Sequence, residues 1–541
     1  MKNTYLIFIC FLLIGCKEES KSVLKDPTDI SDISTKDFRE FKVLDSRYID
    51  GDALWQPFEE DLKDFTQKNH DELKTMILEQ DIPTIQGHVN TRRLSYEQLV
   101  KFYLYRIKKY DRENEKSLNS VITLNLDIIA EAREKDNQLK NKMLKHPIFG
   151  MPILLKDNIN ASGMPTTAGA VAMQDNNAND AFIVKRLKGK GALILGKANL
   201  SEWAYFFCGD CPSGYSAIGG QTLNPYGRRI IDTGGSSSGS GVSVAANFCV
   251  AAIGSETSGS ILSPSSQNSV VGLKPTIGLV SRTGIVPISS TLDTAGPMTK
   301  NVTDNAIVLD AIRAYDKTDL ASTFIEDTWD YESLSNNALR GKRLGAFKRL
   351  LEDSLYLQAI SVLKGQGAEI VEIDEEDIKL PEFIRLLNLD MKKDLPTYFE
   401  NNADGSIALR SVQDVIDFNN KDSMNTAPYG QKLFKGIVAD KGTDDDLKRI
   451  SETLNTNGKS YFEVPMKRHD LDGFLSINNY HAGFAAVAKY PALTVPMGYT
   501  DTGAPKGLTF ISRPFSELAL LNWAYDYEQA SEMRVLPIDY Y

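Results

Sequence analysis

Histidine is scarce in this sequence: His70, His88, His146, His469 and His481 are the five in 541 residues. A serine hydrolase built on imidazole needs a histidine beside its nucleophile. None of the five adjoins a nucleophile turn, and no G-x-S-x-G elbow occurs. They read as surface or packing residues. A G-x-x-x-x-G-K-[ST] phosphate loop is missing too. Gly239-Ser-Gly241 lacks the third glycine and the acidic partner of a dinucleotide fingerprint. No basic cluster interrupts the balance of 61 Lys and Arg against 72 Asp and Glu, a net charge of −11. That excludes nucleic acid as the expected partner.

Cysteine is equally sparse, with five residues. Cys208-Gly-Asp-Cys211 has the spacing of a redox pair or of half a zinc site. A zinc site needs two further ligands, and no matching Cys or His pair lies nearby, so no metal is expected. Two separate thiols and a local disulfide both remain open. Long apolar runs are absent beyond Tyr5 to Ile14, which is too short to cross a bilayer as a helix. With Lys2 before it and Leu13-Ile14-Gly15-Cys16 after it, residues 1–16 resemble a bacterial lipoprotein signal whose cysteine becomes the lipidated first residue. The expectation is an extracytoplasmic lipoprotein anchored through Cys16 and otherwise soluble, its membrane face left open. Residues 17–65 are polar and read as a tether and N-terminal arm.

What the chain does have is ordinary globular composition, 42% hydrophobic and 25% charged. Ser95 with Gln98 opens a helix by a capping-box pattern, and Leu99, Phe102, Tyr103, Ile107 and Tyr110 mark one face of it. Residues 127–142 read as a further helix. Pro152 to Leu155 and Ala192 to Gly196 read as buried strands, with a helix from Ala181 to Gly191 between them. Strand, crossover helix and strand give a parallel α/β arrangement. Thr303 is expected to cap a helix through Tyr315. Residues 316–470 are more acidic and less regular, and read as a variable insertion that shapes a substrate cleft. Strands at 491–496 and 507–511 and a closing helix at 515–529 complete one large domain over 66–541.

The stretch from Gly234 to Pro275 stands apart. Two Gly/Ser-rich turns, Gly234 to Gly239 and Ser255 to Ser260, bracket a buried apolar run from Val242 to Ile253. A Ser/Gly linker would carry no such run. Two serines can therefore meet in one pocket. Lys156 ends an apolar strand, where burial lowers the cost of a neutral amine and makes it a candidate base.

This stretch resembles the amidase signature, and the likeness extends to Gly150-Met-Pro-Ile-Leu-Leu-Lys156-Asp-Asn, Gly196-Lys-Ala-Asn-Leu-Ser-Glu-Trp203 and Gly220-Gln-Thr-Leu-Asn-Pro225. Leu292-Asp-Thr-Ala-Gly-Pro-Met298 and Pro491-Ala-Leu-Thr-Val-Pro496 match as well. Within the family the chain looks most like bacterial peptide amidases, which remove C-terminal carboxamides and release ammonia. The resemblance implies a single large α/β domain with a mixed, mostly parallel central sheet covered by helices on both faces. It implies a Ser–Ser–Lys triad: Ser260 as nucleophile, Ser236 as bridging serine after a cis peptide bond, and Lys156 as base. It places the oxyanion among the backbone N–H groups of Thr257, Ser258, Gly259 and Ser260, calls for no cofactor, and makes the partner a small-molecule or peptide amide. Ser258, Leu262 and Glu256 depart from the residues commonest in the family, so mechanism carries over further than substrate. The amidotransferase subunit of tRNA-dependent amidation shares the motifs but is cytosolic, which the export signal disfavours. An amidase of other small or acylated amides is the alternative within the enzyme class, and an inactive, peptide-binding lipoprotein is the alternative from a different class.

Overall fold

The computed structural model describes residues 39–112, 114–139, 145–325 and 333–541. The signal, Cys16 and the tether up to residue 38 lie outside the described residues. Among those described, no helix is long and apolar enough to cross a membrane. The arm from residue 39 lies along the body: Leu44 O accepts from Gln221 N at 2.8 Å, and Val43 is buried.

The strands in chain order begin with β1 (Val121–Leu124), β2 (Pro152–Lys156), β3 (Leu193–Ala198), β4 (Tyr215–Ser216) and β5 (Gly220–Gln221). β6 (Ala251–Glu256), β7 (Val271–Lys274) and β8 (Thr294–Thr299) follow. Then come β9 (Arg343–Phe347), β10 (Glu369–Ile373), β11 (Gly473–Ile477), β12 (Ala492–Tyr499) and β13 (Pro505–Ile511). β4 and β5 form a small ribbon. The other eleven make one sheet in the order β1-β3-β2-β6-β8-β7-β12-β13-β11-β9-β10. Every residue of β2, β3, β6, β7 and β8 is buried, so both faces of that part are covered.

The sheet is mixed, as expected. Parallel pairing runs through β3-β2-β6 at one side and β11-β9-β10 at the other. Between these blocks the ladder is antiparallel, with β12 and β13 joined by a short hairpin turn. The crossover helix between β2 and β3 is Phe182–Gly189. It lets these strands run parallel, as a longer connection must.

The expected elements recur with small shifts. The capping box on Ser95 and Gln98 is formed and opens Tyr96–Tyr110, whose predicted face is buried. The helix expected from Thr303 is instead Val302–Ile312, capped by Asn301, whose side chain accepts from Asp304 N. The apolar run 242–253 divides into a helix, Ser238–Ala245, and β6, separated by a turn with Asn247 at φ +55°. Residues 316–470, read from the sequence as less regular, are largely helical. They carry Phe383–Asn401, Val412–Lys421, Lys432–Ala439 and the 26-residue Asp444–His469. These helices pack on a second hydrophobic cluster that includes Trp203, Phe207, Leu386, Tyr398 and Phe434.

Candidate active site

β2 and β6 run parallel side by side and end together, which sets Lys156 next to the Ser255-Glu256 end of β6. Crevices at the carboxyl ends of such strands are where α/β sheets hold ligands. The Lys156 side chain is fully buried. Its Nζ lies 2.7 Å from Ser236 Oγ, 2.9 Å from Ser255 Oγ and 3.1 Å from Ser255 O. Burial lowers its pKa from the usual lysine range to about 7, against the opposing pull of Asp293 and Glu256.

Three other lysines are buried, and the contrast is informative. Lys197 pairs with Asp157 at 2.9 Å, while Lys274 and Lys300 donate to the carbonyls of Pro275 and Val250. Among the described residues only Lys156 combines full burial with a serine hydroxyl partner and no carboxylate within ion-pair distance.

Ser236 is placed by the peptide Gly235–Ser236, which is cis, and by Ser201 N, which donates to Ser236 O at 3.0 Å. Gly235 lets the turn approach Ser201 closely: a Cβ there would come 2.6 Å from Ser201 Oγ and displace that hydroxyl. Ser237 N donates to Ser260 O at 3.1 Å, so the two serine turns touch through their backbones. Ser260 is 9% exposed, and its Oγ has no hydrogen-bond partner among the described residues. Gly259 before it adopts φ +89°, a conformation that favours glycine, and a Cβ there would sit 2.8 Å from Asn479 Nδ2.

The Ser255–Ser260 turn is wrapped around Glu256. Its carboxylate accepts from Gly259 N at 2.6 Å, Ile261 N at 2.7 Å and Leu262 N at 3.0 Å. Of the four N–H groups expected to face an oxyanion, that of Gly259 is therefore held by the protein. Those of Thr257, Ser258 and Ser260 have no acceptor among the described residues. Thr257 Oγ1 donates to Asp293, whose other oxygen accepts from Ile288 N and Ser289 N. Burial raises the Asp293 pKa despite these bonds.

Lys156, Ser236, Thr257, Ser258, Gly259 and Ser260, expected from the sequence, all lie here, whereas Ser255, Asn158 and Asp293 have no role in that expectation. All three sit in the same sequence motifs, so their positions were visible and their contacts were not. Cys208 and Cys211 form a disulfide, resolving the open pair. A histidine alternative is disposed of by burial. Ser476 Oγ and His481 Nδ1 are 2.6 Å apart with Glu375 beyond, but both residues are sealed and the ring stacks on Phe347. A cavity of about 250 Å³ lined by Arg186, Lys190, Asp310, Arg313, Tyr315 and Phe324 contains none of the site residues.

Known proteins match this arrangement along nearly the whole chain. The amidase family profile matches residues 98–429. A probable amidase of Arabidopsis thaliana is 36% identical over 479 residues, covering 85% of this chain and 92% of its own. The crystal structure of an amidase family protein from Bacillus anthracis superposes with a TM-score of 0.87 at 35% identity, covering 91% of this chain and 99% of that one. Native peptide amidase from Stenotrophomonas maltophilia is 40% identical with a TM-score of 0.81, covering 85% of this chain and 98% of that one. With that similarity and a buried lysine meeting a serine at a Gly/Ser turn, the chain belongs to the amidase signature family, whose members hydrolyse amide C–N bonds.

Proposed function

We propose that the chain releases ammonia from C-terminal carboxamides of peptides through a Ser260 acyl-enzyme. The observation that carries this is the 2.7 Å contact between a fully buried Lys156 amine and Ser236 Oγ, one backbone hydrogen bond away from the Ser260 turn. Neutral Lys156 takes the Ser236 proton as Ser236 takes that of Ser260, and Ser260 Oγ attacks the amide carbon. The oxyanion is met by the free N–H groups of Thr257, Ser258 and Ser260, that of Gly259 being held by Glu256. Ser236 returns a proton to the departing nitrogen, ammonia leaves, and water cleaves the ester by the same relay. The peptide carboxamide is favoured by the 40% identity to the Stenotrophomonas peptide amidase. The helix Phe383–Asn401 reaches the loop that holds Asp293, with Asp394 accepting from Ser290 N at 2.5 Å, which supports a role for this region in shaping the cleft. Export and lipid anchoring at Cys16 are proposed from the sequence alone.

The test is ammonia release by the full chain from acylated dipeptide amides and from acetamide. Turnover of the peptide amides at least about tenfold faster in kcat/KM than of acetamide is expected; the reverse order would refute the peptide reading.

The pH profile follows from the lowered Lys156 pKa. The reactive amine is the deprotonated form, so kcat/KM should rise about tenfold per pH unit below pH 7 and level off above it. An acid limb centred near the ordinary lysine value of about 10.4 would contradict a buried neutral base.

A further inference from the structure

Lys156 Nζ has three hydrogen-bond partners, and two of them belong to one residue. We infer that Ser255 is the positioning residue of the proton relay: its carbonyl and hydroxyl oxygens take the two hydrogens of the neutral Lys156 amine and leave the lone pair facing Ser236 Oγ. The inference rests on the Ser–Ser–Lys reading and adds to it a residue that touches neither substrate nor reacting carbonyl.

The argument is one of donors and acceptors. An ammonium carries three hydrogens and no lone pair; an amine carries two hydrogens and one lone pair. As ammonium, Lys156 donates to Ser236 Oγ, Ser255 Oγ and Ser255 O, one hydrogen each. As amine, it must accept from Ser236, so both remaining hydrogens need acceptors elsewhere. The Ser255 carbonyl can only accept. The Ser255 hydroxyl already accepts from Asn158 Nδ2 at 2.9 Å, which fixes the orientation of its second lone pair toward the amine. The same three partners thus serve both protonation states, and the proton moves with no rotation of the lysine.

Ser255 is itself held in place. Its N–H donates to Ser237 Oγ at 3.2 Å and its carbonyl accepts from that hydroxyl at 3.1 Å. This ties the end of β6 to the residue after Ser236, so the acceptors and the bridging serine move as one piece. Lys156 is fully buried and Ser255 is 7% exposed, so solvent does not replace the missing acceptors freely. The charged groups facing Lys156 are Asp293 and Glu256. Both carboxylates are engaged elsewhere, Asp293 by Thr257 and two backbone N–H groups and Glu256 by three N–H groups of the nucleophile turn.

The experiment compares Ser255→Ala, Ser255→Thr and Ser260→Ala with the parent full chain, measuring ammonia release from one peptide amide between pH 5 and 10. Loss of the hydroxyl is expected to lower kcat about 10- to 100-fold with KM within about twofold, since ground-state binding is untouched. The midpoint of the acid limb should move below that of the parent, because the ammonium loses a charge-assisted bond and is disfavoured more than the amine. Threonine, which keeps the hydroxyl, should restore most of the rate. Parent-like kcat in Ser255→Ala overturns the inference. So does a loss accompanied by an upward shift of the midpoint, the sign of water entering a loosened site. Where the alanine chain does not fold by circular dichroism, Asn158→Leu decides, since it frees the same hydroxyl: a kcat loss at constant KM supports the role and an unchanged kcat refutes it. Activity surviving in Ser260→Ala would instead overturn the underlying triad reading.

Discussion

Replacing Ser260 by alanine should abolish ammonia release, with a loss of at least about 10⁴-fold in kcat and little change in stability. The size of the loss follows from what remains. Alanine leaves the free N–H groups of the turn and the Lys156–Ser236 pair in place, but no atom that can form the acyl bond. Residual catalysis then comes only from polarisation and binding. The small stability effect follows from the environment of the deleted atom. Ser260 Oγ has no hydrogen-bond partner among the described residues, so its removal orphans no buried donor or acceptor. The turn itself is held by Glu256 through three N–H groups that the mutation does not touch. An unfolding free energy within about 1 kcal/mol of the parent, with ammonia release at background, is the expected pair of results. Turnover above about 1% of the parent would remove Ser260 from the nucleophile role.

The comparison of sequence with structure is instructive about which physics a sequence displays. β2 and β3 were legible because buried parallel strands appear as continuous apolar runs, bounded here by glycines at 150 and 191. The Ser95 helix was legible because its cap is local and its apolar face repeats at helical spacing. The helices of 383–469 were not. Asp444–His469 buries only seven of its 26 residues and contains Pro465, so its apolar stripe is thin. Its capping box, Thr443 with Asp446, was nevertheless present as a local signal.

The site divides along the same line. Lys156, Ser236 and Ser260 lie in motifs whose spacing can be read along the chain. Ser255 serves Lys156 only because β2 and β6 are adjacent and parallel, a register that no local pattern reports. Glu256 was noted as a departure from the commoner residue at its position. Its part in folding the nucleophile turn depends on N–H groups that lie three to six residues later.

Lys156→Met should be the converse of a conservative core change: nearly inactive and, near neutral pH, more stable than the parent. On activity, the methionine thioether is far too weak a base to take the Ser236 proton and has no hydrogen to give back, so the relay stops. A loss of at least about 10⁴-fold in kcat is expected, and the double change with Ser260→Ala should cost no more than the worse single change, because relay members act as one unit. On stability, the sign comes from linkage. The folded-state pKa is depressed to about 7, below the unfolded value, so the unfolded chain binds the proton more readily. The penalty is largest at and below pH 7, shrinks as pH rises, and vanishes above the unfolded pKa of about 10.4. At about 1.4 kcal/mol per unit, it is at most about 5 kcal/mol at pH 7. Methionine removes it while filling the same apolar floor beneath the site, and gives back part of the gain by leaving Ser236 Oγ and the Ser255 oxygens short of a partner. The measurement is the difference in unfolding free energy between variant and parent at pH 7 and at pH 10. A gain for methionine that is larger at pH 7 fits a neutral, desolvated base. A difference independent of pH would mean that Lys156 is no harder to protonate folded than unfolded, and the proton relay would lose its base.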